Sequence, residues 1–98
     1  MNVQWTKTAE GHLDAIYAYI SQDSMTYALR MVDKLTRKSE QIATHPLSGR
    51  AVPEYERDDL REIIENPYRI IYRINEGQID IVAVIHASQN MHKIELEQ

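Results

Sequence analysis

The stretch Tyr68–His86, YRIIYRINEGQIDIVAVIH, restricts the fold more than any other part of the chain. It is rich in β-branched and aromatic residues and is interrupted by Glu76-Gly77, so it reads as two antiparallel strands, about 68–75 and 78–86, joined by a two-residue turn. That turn sets Ile74 opposite Ile79, Tyr72 opposite Ile81, Ile70 opposite Ala83 and Tyr68 opposite Ile85, all on one face for helices to cover. The other face carries Arg73 opposite Asp80, Ile71 opposite Val82 and Arg69 opposite Val84, with His86 beyond. Tyr68 and Tyr72 are then core aromatics rather than stacking platforms.

Arginines in such strands need partners, because an unpaired buried guanidinium is costly. Asp80 supplies one for Arg73, a cross-strand pair worth about 0.2–1 kcal/mol. No acid stands opposite Arg69, which is expected mid-sheet, near His86, on the face away from the helices. A third strand at about 59–65, within DDLREIIE, precedes the hairpin. Pro67 cannot adopt the positive φ of the favoured hairpin turn, so the register of this strand stays open. Either Glu62 serves Arg69 as an ion-pair partner, or Arg61 stands beside it as a second cation.

Upstream, VQWT (3–6) is a short strand with Val3 and Trp5 on one face. Thr6 or Thr8 can cap a helix carrying Leu13, Ile16, Tyr17 and Ile20 at helical spacing. Asp23 or Ser24 can cap a second helix with Met25, Ala28, Val32, Leu35 and Ile42 on one face, widened by Leu29 and Met31. It must stop near His45-Pro46, because proline disfavours a helical residue before it. Met25 and Met31 are core filler on this reading. The segment 46–59, with Pro46, Gly49 and Pro53, is a loop.

Composition excludes several classes. With no cysteine there is neither a disulfide framework nor thiolate chemistry. No apolar run reaches membrane-spanning length, and the first residues lack the pattern of a secretory leader, so a cytoplasmic protein without a membrane partner is expected. His12, His45 and His92 are scattered singly, without metal-ligand spacing, and no cofactor motif is present. Net charge is -4, with 11 Lys and Arg against 15 Asp and Glu, which weighs against a broad nucleic-acid footprint. His86 at a strand end serves a structural hydrogen bond or a proton transfer.

The order strand, helical hairpin, three antiparallel strands resembles the RelE/ParE superfamily of toxins from type II toxin–antitoxin pairs. HPLSGRAVPE (45–54), LREI (60–63), YRIIYRI (68–74) and IVAVIHA (81–87) carry the resemblance, in family-like order and spacing. It implies an α+β fold: an N-terminal strand, an α-helical hairpin and a three-stranded meander in one sheet packed on the helices, with residues 1–98 as one toxin domain. It implies a cognate antitoxin as partner in a hetero-oligomer. RelE-type members are implied to cut mRNA at the ribosome, and ParE-type members to inhibit DNA gyrase by binding.

Cutting RNA through its 2′-hydroxyl needs a base, a cation at phosphorus and an acid. By the resemblance Arg69 would be the phosphate cation, Arg61 and Arg73 helpers, and His86 the acid or base. After His86, however, the run is HASQNM, with Ser88 and Gln89 where the family often carries arginine. No tyrosine follows the strand, and LREIIE lacks the lysines of RelE-type enzymes. The depleted cationic site points to a ParE-like binding toxin. Arg69, Arg61, His86 and Gln89 are then candidates for antitoxin or target contact, and SQNMHKIELEQ (88–98) for gyrase inhibition. An RNase, or an inactive toxin-fold partner, are the alternative readings.

Overall fold

The structure, a computed structural model, describes residues 1–89; the part of the gyrase-linked segment from 90 onward, and His92, lie outside the described residues.

Two hydroxyls decide where the helices begin. Thr6, with extended backbone, accepts a hydrogen bond from the Ala9 N–H at 3.1 Å and opens α1 (Lys7–Ser21). Ser24 does the same for the Tyr27 N–H, at 3.1 Å, and opens α2 (Met25–Thr44). Each satisfies one of the donors that a helix start leaves free. The helix α2 ends just before His45-Pro46, as the proline requires.

The buried stripe of α2 is Ala28, Met31, Leu35, Ser39 and Ile42. Met25 and Leu29, expected on that face, are exposed instead. The core-facing arc is narrower than the sequence pattern implied. Ile16 is buried on α1, with Leu13 and Ile20 partly so.

Strands β1 (Asn2–Trp5), β2 (Arg50–Ala51), β3 (Leu60–Glu65), β4 (Tyr68–Asn75) and β5 (Gln78–His86) form one sheet in the order β1-β5-β4-β3-β2. The first pairs in parallel with β5, and the rest of the sheet is antiparallel. The two-residue β2 lies inside the segment read as loop, held to Arg61 and Glu62 of β3. In the β4–β5 turn Gly77 alone takes positive φ, at 69°, while Glu76 stays negative. The conflict of glutamate with a positive-φ site therefore does not arise. The Asn66–Pro67 bond is cis.

The hairpin register holds from the turn as far as Tyr72–Ile81, including Arg73 opposite Asp80. Then a β-bulge intervenes: Ile71 pairs with Ala83, so Val82 is the extra residue. Beyond it Ile70 faces Val84, Arg69 faces Ile85 and Tyr68 faces His86, which overturns the expected Ile70–Ala83, Tyr68–Ile85 and Arg69–Val84 pairs. Because side chains alternate along a strand, one inserted residue exchanges the faces of everything after it. Val84 moves under the helices with Tyr68, Ile70, Tyr72, Ile79 and Ile81. Val82, Ala83 and Ile85 join Ile71 and Leu60 on the far side.

That far side is not open. Val52 is fully buried against it and Tyr55 packs there too, making a second small core beneath the 52–55 segment. Tyr72 anchors the start of this loop from the other face. Its buried hydroxyl donates to the Pro46 carbonyl at 2.7 Å and accepts the Gly49 N–H at 3.0 Å. Burial raises its pKa, so the phenol stays protonated and can donate.

At the bulged end of β5 the Val84 N–H extends beyond β1, and His12 of α1 accepts it through Nδ1 at 3.1 Å. Only a neutral imidazole can accept there. Burial lowers the His12 pKa, which agrees with that role. The folded protein thus binds fewer protons than the unfolded chain once pH falls through about 6.5. Stability held above that pH is expected to decline steadily on acidification toward the lowered folded value. Urea titrations from pH 7.5 to pH 5 check this, and His12→Asn, whose Oδ1 can accept without titrating, should flatten the profile. An unchanged slope in that variant would exclude His12 as the source.

Candidate functional site

Arg69 sits near the start of the central strand β4, on the far face of the sheet, where the sequence placed it, but it is only 6% exposed. Its side chain runs between two carboxylates of the chain itself. Nε donates to Glu62 Oε1 at 2.8 Å, and Nη2 reaches the same oxygen at 2.5 Å. Nη2 and Nη1 also form a fork on Glu54, at 2.8 and 2.9 Å. Nη1 further donates to the Gln89 carbonyl at 3.2 Å. A guanidinium has five N–H donors, and these five bonds use them all.

The other end of Glu62 is held by Arg50, whose Nε donates to Oε2 at 2.6 Å. Glu62 is completely buried while Arg50 is largely exposed, so the chain Arg50–Glu62–Arg69–Glu54 runs from the surface inward and back. The pKa of Arg69 is raised, first by the Glu54 hydrogen bonds and also by Glu62, against the opposing effect of burial. Two acids and two bases balance in charge.

The alternation along β3 settles which neighbour serves Arg69. Glu62 shares its face, and Arg61 lies on the opposite one, across from Tyr72. There Arg61 donates to the backbone carbonyls of Gly49 at 2.9 Å and Asp58 at 3.2 Å. It is a loop brace, on the other side of the sheet from Arg69. Arg73 is tied to Asp80 at 3.6 Å, and Asp80 also accepts from Asn75 and Gln78.

The bulge removes His86 from Arg69's face. Its ring meets Tyr68 edge-on, with centroids 5.9 Å apart. Its Nδ1 lies 2.9 Å from Ser88 Oγ and accepts the Ser88 N–H at 3.2 Å, while its backbone N–H donates to Gln89 Oε1 at 2.9 Å. The proposed acid or base and the proposed phosphate cation therefore stand on opposite faces. Gln89 links them, its side chain accepting from the His86 backbone N–H and its carbonyl accepting from Arg69.

Two clefts flank this link. One, of about 540 Å³, opens between α1 and the end of the β4–β5 hairpin and is lined by His12, Ile16, Tyr19, Tyr68, His86 and Gln89. The other, of about 370 Å³, is polar and is lined by Arg50, Glu54, Ile64, Arg69 and Gln89 among others. Among the described residues no group of three or more His, Asp or Glu is placed to hold a metal ion. No helix among them is long and apolar enough to cross a membrane.

Sequence reasoning placed Gly49 and Glu54 in the 45–54 segment but missed the role of each. Neither carries a local signal, since both act through contacts with strands more than ten residues away.

Comparison with known proteins places this architecture. Residues 3–91 match the family described as the ParE toxin of the type II toxin–antitoxin system parDE. Toxin RelE2 of Caulobacter vibrioides is 35% identical over 88 residues, spanning 89% of this chain and 96% of that protein. Among solved structures, a chain of the chromosomal ParDE system from P. aeruginosa superposes with a TM-score of 0.73 at 25% identity, covering 88% of this chain and 95% of the other. A chain of the RelBE2 toxin–antitoxin complex from Mycobacterium tuberculosis shares the fold, with a TM-score of 0.65 at 20% identity over 87% and 95% of the two chains. With the helical hairpin, the mixed sheet and nearly full-length matches in agreement, this chain belongs to the RelE/ParE superfamily of toxins, in the ParE toxin family of type II toxin–antitoxin systems.

Proposed function

We propose that this toxin arrests growth by binding a cellular target, DNA gyrase, rather than by cutting RNA, and that a cognate antitoxin neutralises it in the bacterial cytoplasm. One observation carries the non-cleaving part. Every donor of Arg69 is already engaged, by Glu54, Glu62 and the Gln89 carbonyl. A phosphate needs free donors in a forked arrangement. Here it would have to displace Glu54 and then meet the buried Glu62 charge. His86, on the opposite face, is not placed to share a scissile phosphate with Arg69.

The larger cleft is the natural seat for an amphipathic antitoxin segment: its walls are mostly apolar, and His86 and Gln89 stand at its edge as polar contacts. Family membership and the closer fold match to the ParDE structure support gyrase as the target class.

A second reading, a ribosome-dependent mRNA endonuclease, draws on the 35% identity to Toxin RelE2 and requires Glu54 to leave Arg69. Incorporation of labelled thymidine and methionine in the first minutes after induction without antitoxin separates the two. Thymidine uptake is expected to fail first. Methionine failing first would replace the gyrase reading with the nuclease one, and no change with folded protein present would leave an inactive partner.

A further inference from the structure

The helix α2 carries four of the chain's basic residues, Arg30, Lys34, Arg37 and Lys38, although the net charge is -4. Elsewhere the described arginines are spoken for. Arg50, Arg57, Arg69 and Arg73 pair with carboxylates, and Arg61 with backbone carbonyls. Arg37 is paired with Asp33 at 3.0 Å. Among the described residues, four basic side chains have neither an ion pair nor a hydrogen bond to protein: Lys7, Arg30, Lys34 and Lys38. Three of them lie on α2 at i, i+4 and i+8, which stacks them on one side about 6 Å apart along the axis. The acids of this helix, Asp33 and Glu40, project from its other flank.

We infer that this stripe is a docking surface for the phosphate backbone of duplex DNA. Free cations segregated to one helix face complement an evenly charged rod, and such contacts need no groove. A protein partner would call for apolar anchors amid the charges. Of the exposed large apolar side chains of α2, Met25 and Leu29 lie off this side, and Tyr27 shares it one turn before Arg30, so none stands between Arg30 and Lys38. Single strands would call for stacking aromatics along the stripe, and double-stranded RNA recognition spans two minor grooves, far beyond about 12 Å of helix. The inference does not rest on the gyrase reading; it gives the toxin its own hold on DNA whatever its protein target.

The test is fluorescence anisotropy of a labelled DNA duplex of about 20 bp titrated with the full chain at two salt concentrations. Three phosphate contacts predict affinity falling about 40-fold between about 50 and about 200 mM salt. The variant Arg30→Gln/Lys34→Gln/Lys38→Gln should lose both the binding and its salt dependence. Its thermal melt should match that of the parent, because none of these side chains holds a partner among the described residues. Lys7→Gln should bind as the parent does. The inference is overturned by absence of binding at about 100 μM protein in the lower salt. It is equally overturned by retained binding in the triple variant, or by equal loss in Lys7→Gln. Tighter binding of poly-glutamate would reassign the stripe to an acidic protein, and tighter binding of an RNA duplex to RNA.

Discussion

Arg69→Met is expected to lower the unfolding free energy by about 3–5 kcal/mol, the typical cost of stranding one member of a buried ion pair. In the wild-type fold Glu62 has no exposed surface and Glu54 little, so both rely on the guanidinium. After the change Glu62 keeps only Arg50, which reaches it from solvent. For a chain of 98 residues, each kcal/mol moves Tm by roughly 4–8 °C, so the loss is easily seen in a thermal melt. Adding Glu62→Leu and Glu54→Gln should restore most of the stability, because neutral side chains in place of both carboxylates remove the stranded charge and leave Arg50 in solvent. A single variant as stable as the parent would show that Arg69 is not the lock of the far face. This result bears on function as well. Toxicity lost in Arg69→Met but regained in the restored variant is loss through folding, not through chemistry.

The second large effect is expected at Gly49. A Cβ built there would lie 2.5 Å from the Tyr72 hydroxyl oxygen and 2.6 Å from the Glu62 carbonyl oxygen. The carbonyl belongs to the sheet and cannot yield, so Gly49→Ala should push the 46–51 segment off β3 at a cost of about 1–3 kcal/mol. The same displacement breaks the Gly49 N–H bond to Tyr72. Tyr72→Phe alone should cost about 1–3 kcal/mol by leaving the Gly49 N–H and Pro46 carbonyl without partners. The double variant should lose less than the two losses added, because both act on one contact. Denaturant midpoints of the four proteins complete the cycle, and strict additivity would mean that Gly49 and Tyr72 act independently.

These effects depend on contacts that local sequence does not display. Glu54 lies in a stretch whose prolines and polar residues read locally as a loop, yet it completes the fork on Arg69 from 15 positions away. Arg69 itself was legible as an arginine in need of a partner. The pleat of β3 could offer either Arg61 or Glu62, and a register with Glu62 facing Ile71 chose Glu62. The face of His86 was not legible because nothing in IVAVIH marks Val82 as the extra residue of a bulge.

What the sequence determined by itself is the part written in short-range physics. Hydroxyls ahead of apolar periodicity start both helices, His45-Pro46 ends the second, and alternating β-branched residues around Glu76-Gly77 make the hairpin and its first register. The tertiary structure alone decided which face each residue after the bulge presents, that the loop would seal the far side of the sheet, and that the chain's own carboxylates would consume Arg69. The physical reason is the same in each case. Backbone preference and periodicity act within a few residues, whereas a one-residue slip in pairing or an ion pair across the sheet is chosen by the energy of the whole packed core.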